Sequence, residues 1–239
     1  MEFDEAVDGF GSAVAGAVGV EVALSPRKVE FARAVLRRAM ADAVVDRHLE
    51  VNPVIGTKRP KTVKPKHTTW TGVQLRDFLD SLDEADRWAP PWLLAAATGM
   101  RRGELLALRW ADVDLDAGMV RIDRSVTQIA QALTYTSPKN HERRDVTLDG
   151  RTLAAMRAWR KVQLGERMTW GAAYRDTEGL VFTWEDVRPV LPDYATRAFG
   201  DLTAGREIPR LKLHELRHTH ATMLLRDGAS PRGGQATRP

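Results

Sequence analysis

Apolar residues recur at helical spacing along most of this chain, with one interval of alternating spacing near the middle. Ser25 and Pro26 supply a cap residue and a proline at the first helical position, after which Val29, Ala32, Leu36, Ala39 and Ala43 mark one helix face. Asn52-Pro53 stops that pattern. Further on, Leu75, Phe78, Leu79 and Leu82 predict an amphipathic helix, and Trp92, Leu93, Leu94, Ala96 and Ala97 a more deeply buried one. The period then shortens. Met119, Val120 and Ile122, then Leu133 and Tyr135, then Val146 and Leu148 predict three short strands joined by tight turns, the last turn centred on Asn140 and His141. Helical patterns return over Thr152 to Val162, Asp193 to Phe199 and Leu213 to Leu225. The predicted class is mainly α with a small three-stranded antiparallel sheet, and no internal repeat is visible.

With 239 residues, 43% of them hydrophobic, the chain can bury a sizeable core, either as one large domain or as a main domain with a smaller companion. Two units are expected: a partial helical DNA-binding domain over 1–52 and a larger domain over 69–239, joined by a basic linker over 53–68. There is no cysteine, so disulfides and Cys-based zinc sites are excluded and a reducing cytoplasm is compatible. The Ala/Gly/Val-rich stretch from Gly11 to Leu24 is short, interrupted by Glu21 and preceded by acidic residues, which supports neither a signal peptide nor a membrane span.

Net charge is a modest +4 with pI near 9.6, so its distribution matters more than its total. Arg27, Arg33, Arg37 and Arg38 line the other side of the first helix. Lys58, Arg59, Lys61, Lys64, Lys66 and His67 follow, spaced by Pro60 and Pro65, as an extended basic linker. Either stretch alone could be a solvated surface. Beside a phosphate site, Arg33, Arg37, Lys58, Arg59, Lys61, Lys64 and Lys66 become candidate contacts to double-stranded DNA.

Three segments carry that candidate site. In Thr98-Gly99-Met100-Arg101-Arg102-Gly103-Glu104, Gly99 allows a sharp entry into a helix and places Arg101 in its first turn beside free backbone N–H groups. Glu104, one turn on, is placed to hold the arginine by an ion pair. A guanidinium there can bind two phosphate oxygens at once. Ser137-Pro138-Lys139 puts a lysine near a hairpin tip, able to protonate a leaving oxygen. His214 and Arg217 stand at i and i+3 on one helical face, a proton carrier beside a permanent cation. Taken singly, each segment reads more simply as an ordinary helix or turn with surface charges; their conjunction is what points to phosphate chemistry.

His214-Glu215-Leu216-Arg217-His218 also satisfies the H-E-x-x-H pattern of zinc hydrolases. No glutamate follows Glu215, His220 is too close to complete the usual downstream arrangement, and Arg217 would place a cation near the metal. No metal or other cofactor is expected.

In wording, order and spacing these segments resemble the tyrosine recombinase, or phage integrase, family. The resemblance runs from about Ser25 to Ser230. Thr98-Gly99-Met100-Arg101 with Glu104 is similar to that family's first arginine motif, Ser137-Pro138-Lys139 to its hairpin lysine, and His214-Glu215-Leu216-Arg217-His218 to its H-x-x-R box. The resemblance implies a cytoplasmic protein that clamps duplex DNA between two domains and cuts and rejoins one strand at a time through a phosphotyrosyl intermediate. It implies catalytic roles for Arg101, Lys139, His214 and Arg217, with Glu104 in support. In that chemistry Arg101 and Arg217 hold the non-bridging oxygens, Lys139 protonates the leaving 5′-oxygen and His214 moves a proton on the nucleophile's side.

The family pattern would continue past Leu225 through a Gly-His pair to a helix carrying the nucleophilic tyrosine. Here Gly233-Gly234 follow Ser230-Pro231, and Tyr135, Tyr174 and Tyr194 all precede the box. The sequence therefore reads as shortened at its start and incomplete after about residue 230. The expectation is a recombination protein inactive alone, with assembly alongside other recombinase protomers impaired. The alternatives are a DNA-binding remnant that interferes with an intact relative, and an enzyme that receives its tyrosine from another protomer.

Overall fold

The structure, a computed structural model, describes residues 24–60, 68–83, 85–130, 132–137 and 143–226. Lys61, Lys64, Lys66, Lys139, the turn at Asn140 and His141, and the tail around Ser230 lie outside the described residues. The chain divides into two compact units, Met1–Lys66 and His67–Pro239.

In the first unit, helix α1 (Pro26–Val45) begins as its sequence predicts. Pro26 opens it, and the Ser25 side chain accepts a hydrogen bond from the Lys28 N–H. The apolar face does not become a core: α1 buries none of its residues, and Phe31, Val35 and Leu36 remain exposed. The start of the expected linker is not extended. Residues 53–56 form a turn, fixed because the buried Asn52 amide donates to the Arg37 carbonyl at 2.9 Å and its oxygen accepts from the Val54 N–H. Thr57 then receives both Arg33 Nε, on its hydroxyl at 2.8 Å, and Arg33 Nη2, on its carbonyl at 3.0 Å.

The second unit is built around the predicted helices. Helix α2 (Gly72–Asp80) starts in a capping box between Thr71 and Gln74, and α3 (Ala89–Thr98) is buried on nearly every side. A five-residue helix, α4 (Arg102–Leu106), leads into the strands. Three long helices complete the unit: α5 (Gly150–Trp170), α6 (Pro192–Ala204) and α7 (Leu213–Arg226). Trp70, Phe78, Trp92 and Phe199 pack ring against ring at the centre of the core. Trp70 also secures α7, because its backbone N–H donates to the buried Thr219 hydroxyl at 3.2 Å.

The strand region differs in detail from the sequence pattern. A three-stranded antiparallel sheet does form, in the order β1 (Val113–Asp114), β2 (Met119–Ile122), β5 (Arg144–Thr147). Leu133 and Tyr135 are not in it. They belong to a separate hairpin of β3 (Ser125–Ile129) and β4 (Ala132–Thr136), in which Val126 faces Tyr135. That hairpin sits directly on α4. A Cβ added at Gly103 would lie 2.5 Å from the Val126 carbonyl oxygen, so only glycine lets the two backbones approach this closely.

Helix α5 runs well past Val162 because Gln163, which dilutes its apolar period, is buried and saturated. Its amide nitrogen donates to the Leu180 and Val181 carbonyls and to the Thr183 hydroxyl, while its oxygen accepts from Trp110 Nε1.

Candidate phosphate-binding site

The site begins where α3 ends. Gly99 closes that helix in the left-handed conformation, φ +58°, donating its N–H to the Ala95 carbonyl at 3.0 Å. The reversal sends the chain through Met100, which is buried, to Arg101, which is not. Arg101 caps the short α4 in extended conformation, and its backbone N–H is taken by Glu104 Oε2 at 2.9 Å. One backbone N–H at this helix start is therefore occupied by the chain's own carboxylate.

Glu104 is the organiser. Its side chain is 1% exposed, yet it carries the partners of an ionised group. Oε1 accepts from Arg101 Nη1 at 2.7 Å and from Arg144 Nη1 at 3.3 Å; Oε2 accepts from Arg144 Nη2 at 2.5 Å as well as from the Arg101 backbone. Burial alone would raise the Glu104 pKa. The hydrogen bonds and charge of Arg144, with the backbone and side-chain hydrogen bonds of Arg101, outweigh burial and hold it below its ordinary value. Arg144, at the start of β5, lies outside the three sequence motifs. The signal for it is slight: its place in Arg143-Arg144-Asp145, five residues after Lys139.

Helix α7 brings in a third cation. Arg217 Nη1 donates to the Gly99 carbonyl, and its pKa is lowered first by burial, then by the positive charges of Arg101 and Arg144, with Glu104 opposing. Three guanidiniums thus act on one another around a single buried carboxylate, leaving an excess of positive charge in a half-buried place. His220, one turn beyond Arg217, packs against the same turn. Its Nδ1 lies 2.9 Å from the Ala96 carbonyl and must donate to it, and a Cβ on Gly99 would fall 2.5 Å from its Cδ2. Arg217 and His220 together fix α7 to the C-terminal end of α3, which sets Arg217 near Arg101.

The His220 pKa is lowered, first by burial and further by Arg217, against the Ala96 hydrogen bond. Since the folded value lies below the ordinary 6.5, the unfolded chain takes up this proton first. The stability His220 contributes is full above that value and falls as pH drops from it towards the folded pKa. Urea unfolding followed by tryptophan fluorescence should show this loss as pH falls below 6.5, and His220→Gln should largely remove it.

His214 is exposed in the first turn of α7, its ring centroid 6.2 Å from that of His218. Glu215, the would-be base of a zinc-hydrolase motif, is spent on the helix start: Oε2 accepts from the Lys212 N–H at 2.8 Å. Among the described residues, no group of three or more His, Asp or Glu is placed to hold a metal ion.

Of the candidate DNA contacts in the first unit, Arg37 and Lys58 are exposed. Arg33, another of these candidate contacts, is only 12% exposed and bonded to Thr57, which ties the 53–57 turn to α1. Arg59 is exposed and pairs with Glu30 at 3.6 Å.

None of the hydrogen bonds that build the arginine cluster involves a tyrosine. Tyr135 lies beneath the Arg124 guanidinium, 4.7 Å from its ring centre, and Tyr194 packs between Trp88 and Trp184. Burial raises the pKa of Tyr135 and of Tyr174, the wrong direction for a nucleophile.

Comparison with known proteins gives a consistent picture. The model of the phage integrase family matches residues 71–236. An ICEBs1 integrase of Bacillus subtilis (strain 168) is 24% identical over 212 residues, covering 87% of this chain and 57% of that protein. A XerC-like tyrosine recombinase of Caldanaerobacter subterraneus subsp. tengcongensis is 25% identical over 204 residues, covering 78% of this chain and 52% of its own length. The chain thus spans about half the length of these relatives. In fold it is similar to the Tn1549 transposon integrase, solved with a circular intermediate DNA, at a TM-score of 0.75 and 18% identity, over 89% of this chain and 71% of that one.

Proposed function

Because this chain belongs to the phage integrase family, we propose that it is a site-specific DNA recombination protein whose described residues form the phosphate-holding part of a strand-cleaving and rejoining site. The observation that carries this reading is the cluster in which one buried carboxylate, Glu104, orders Arg101 and Arg144 beside Arg217. Such a cluster has positive charge to spare, which suits a scissile phosphate whose charge grows in the pentacoordinate transition state.

In this reading Arg101 and Arg217 hold the non-bridging oxygens. Lys139 protonates the leaving 5′-oxygen, and His214, exposed one turn from Arg217, serves the nucleophile's side. Glu104 positions and does not react. No metal is needed, since the guanidiniums offset the charge and the phosphotyrosyl link conserves the phosphodiester energy. Exposed Arg37 and Lys58 add contacts to the duplex backbone. The Tn1549 integrase binds DNA and a lambda integrase forms a dimer on a core site; by likeness, the partners of this chain are double-stranded DNA and further recombinase protomers. The proposed DNA partner puts the chain in the cytoplasm, with which the absence of cysteine is compatible.

Because Tyr135, Tyr174 and Tyr194 all precede the His214 and Arg217 pair, and burial raises the pKa of Tyr135 and Tyr174, none of them is the nucleophile in this reading and the attacking tyrosine comes from another polypeptide segment. On its own the chain then occupies DNA without cutting it. A set of duplexes carrying single nicks, which trap cleaved intermediates, tests this directly. The expected result is salt-sensitive binding with no protein–DNA adduct surviving denaturation. An adduct mapped to any of the three tyrosines would overturn the assignment, and failure to bind duplex at low salt would overturn the function.

A further inference from the structure

We infer that Arg144 is a positioning residue that keeps the guanidinium of Arg101 open towards its ligand by occupying the carboxylate of Glu104. The inference rests on the phosphate-site reading and deepens it.

The geometry is asymmetric. Arg144 reaches both carboxylate oxygens with its two terminal nitrogens, at 3.3 and 2.5 Å, the forked arrangement in which guanidinium and carboxylate match best. Arg101 reaches the same carboxylate with one terminal nitrogen only. The exposures follow: the Arg144 side chain is 28% exposed and committed inwards, whereas that of Arg101 is 59% exposed. Arg101 therefore keeps unshared N–H donors on its outer side.

A buried carboxylate beside two arginines will be satisfied by whichever forks are within reach. Without Arg144, Arg101 is the nearest cation able to take both oxygens, and rotating to do so turns its donors away from the ligand. Arg144 thus fixes the division of labour: one arginine neutralises Glu104, and the other, tethered at a single point, faces out. The pairing also ties the first residue of β5 to the first turn of α4, two elements that the sequence separates by about forty positions.

The test is a double-mutant cycle on duplex affinity, measured by fluorescence anisotropy at fixed salt with the full chain. Arg101→Ala is the reference for the phosphate-site reading. Arg144→Ala should weaken binding about tenfold, the loss of a charge-assisted contact at Arg101. In a Glu104→Gln background, where no carboxylate competes for Arg101, Arg144→Ala should change affinity by less than about twofold. An equal loss in both backgrounds would make Arg144 a direct phosphate contact and overturn the positioning role. No loss in the wild-type background, with Arg101→Ala still impaired, would overturn it as well. If Arg101→Ala binds like wild type, the phosphate-site reading itself fails. Arg144→Lys, which keeps the charge without the fork, guards against a folding defect. It should melt close to wild type yet recover only part of the affinity, and full recovery would show that charge alone, not the fork, is what matters.

Discussion

Replacing Glu104 with alanine should cost the second unit about 3–5 kcal/mol, the usual effect of deleting one member of a buried charge network. The reason is what stays behind. Arg101 and Arg144 lose their shared partner, Arg217 loses the negative charge that opposes its cationic neighbours, and the Arg101 backbone N–H loses its acceptor. Glu104→Gln should lose less, because an amide oxygen still accepts from that backbone N–H. Urea unfolding at neutral pH with tryptophan fluorescence measures both. Acid should mimic the glutamine change. Since the folded pKa of Glu104 lies below the ordinary 4.5, its contribution is complete above that value and is lost as pH falls through the folded one. This loss begins below 4.5, whereas that of His220 begins below 6.5.

The second large effect concerns the ligand. Arg101→Ala combined with Arg217→Ala should lower duplex affinity about a hundredfold at fixed salt, two charge-assisted contacts of moderate strength. Arg217 has a second task in holding the Gly99 carbonyl, so its alanine variant also loosens the junction of α3 and α7. Arg217→Lys separates the two roles. It preserves charge but offers phosphate a single point of contact, and it should retain more affinity than alanine does. If both variants bind as wild type does while folding normally, these arginines are structural and the site lies elsewhere.

How far the sequence announced this can be seen residue by residue. Ser25-Pro26 starts α1 as its side chains require, and the apolar spacing around Leu75 and Phe78 and around Trp92 marks α2 and α3 because those helices face a core. The Arg101–Glu104 pair was legible from its three-residue spacing, although the two meet because Arg101 caps α4 from an extended conformation and Glu104 reaches back to it from the third helical position. Arg144 was not legible. Its partner is 40 residues away, and only the antiparallel register that sets Ile122 opposite Arg144 brings β5 to α4. The second hairpin is local, with Ile129 facing Ala132 across its turn, and it was missed because its first strand, Ser125–Ile129, carries only two apolar residues, so Leu133 and Tyr135 look like neighbours of the other clusters in one sheet. Gln163 misled for the opposite reason: a polar residue reads as a surface position until its buried partners are known. His220 stands out in the sequence only as a possible metal ligand, whereas its function in the fold is to grip the end of α3.

The most direct measurement is the salt dependence of duplex binding for the wild-type chain and for the Arg101→Ala, Arg217→Ala double variant. Each neutralised phosphate releases counterions, so the plot of log affinity against log salt should be shallower in the variant by about 0.9 for each arginine removed from a phosphate, or about 1.8 for the pair. A slope difference of that size, with folding intact, means that both guanidiniums sit on DNA phosphates. Parallel lines would contradict the phosphate-holding role and leave the cluster around Glu104 as part of the scaffold alone.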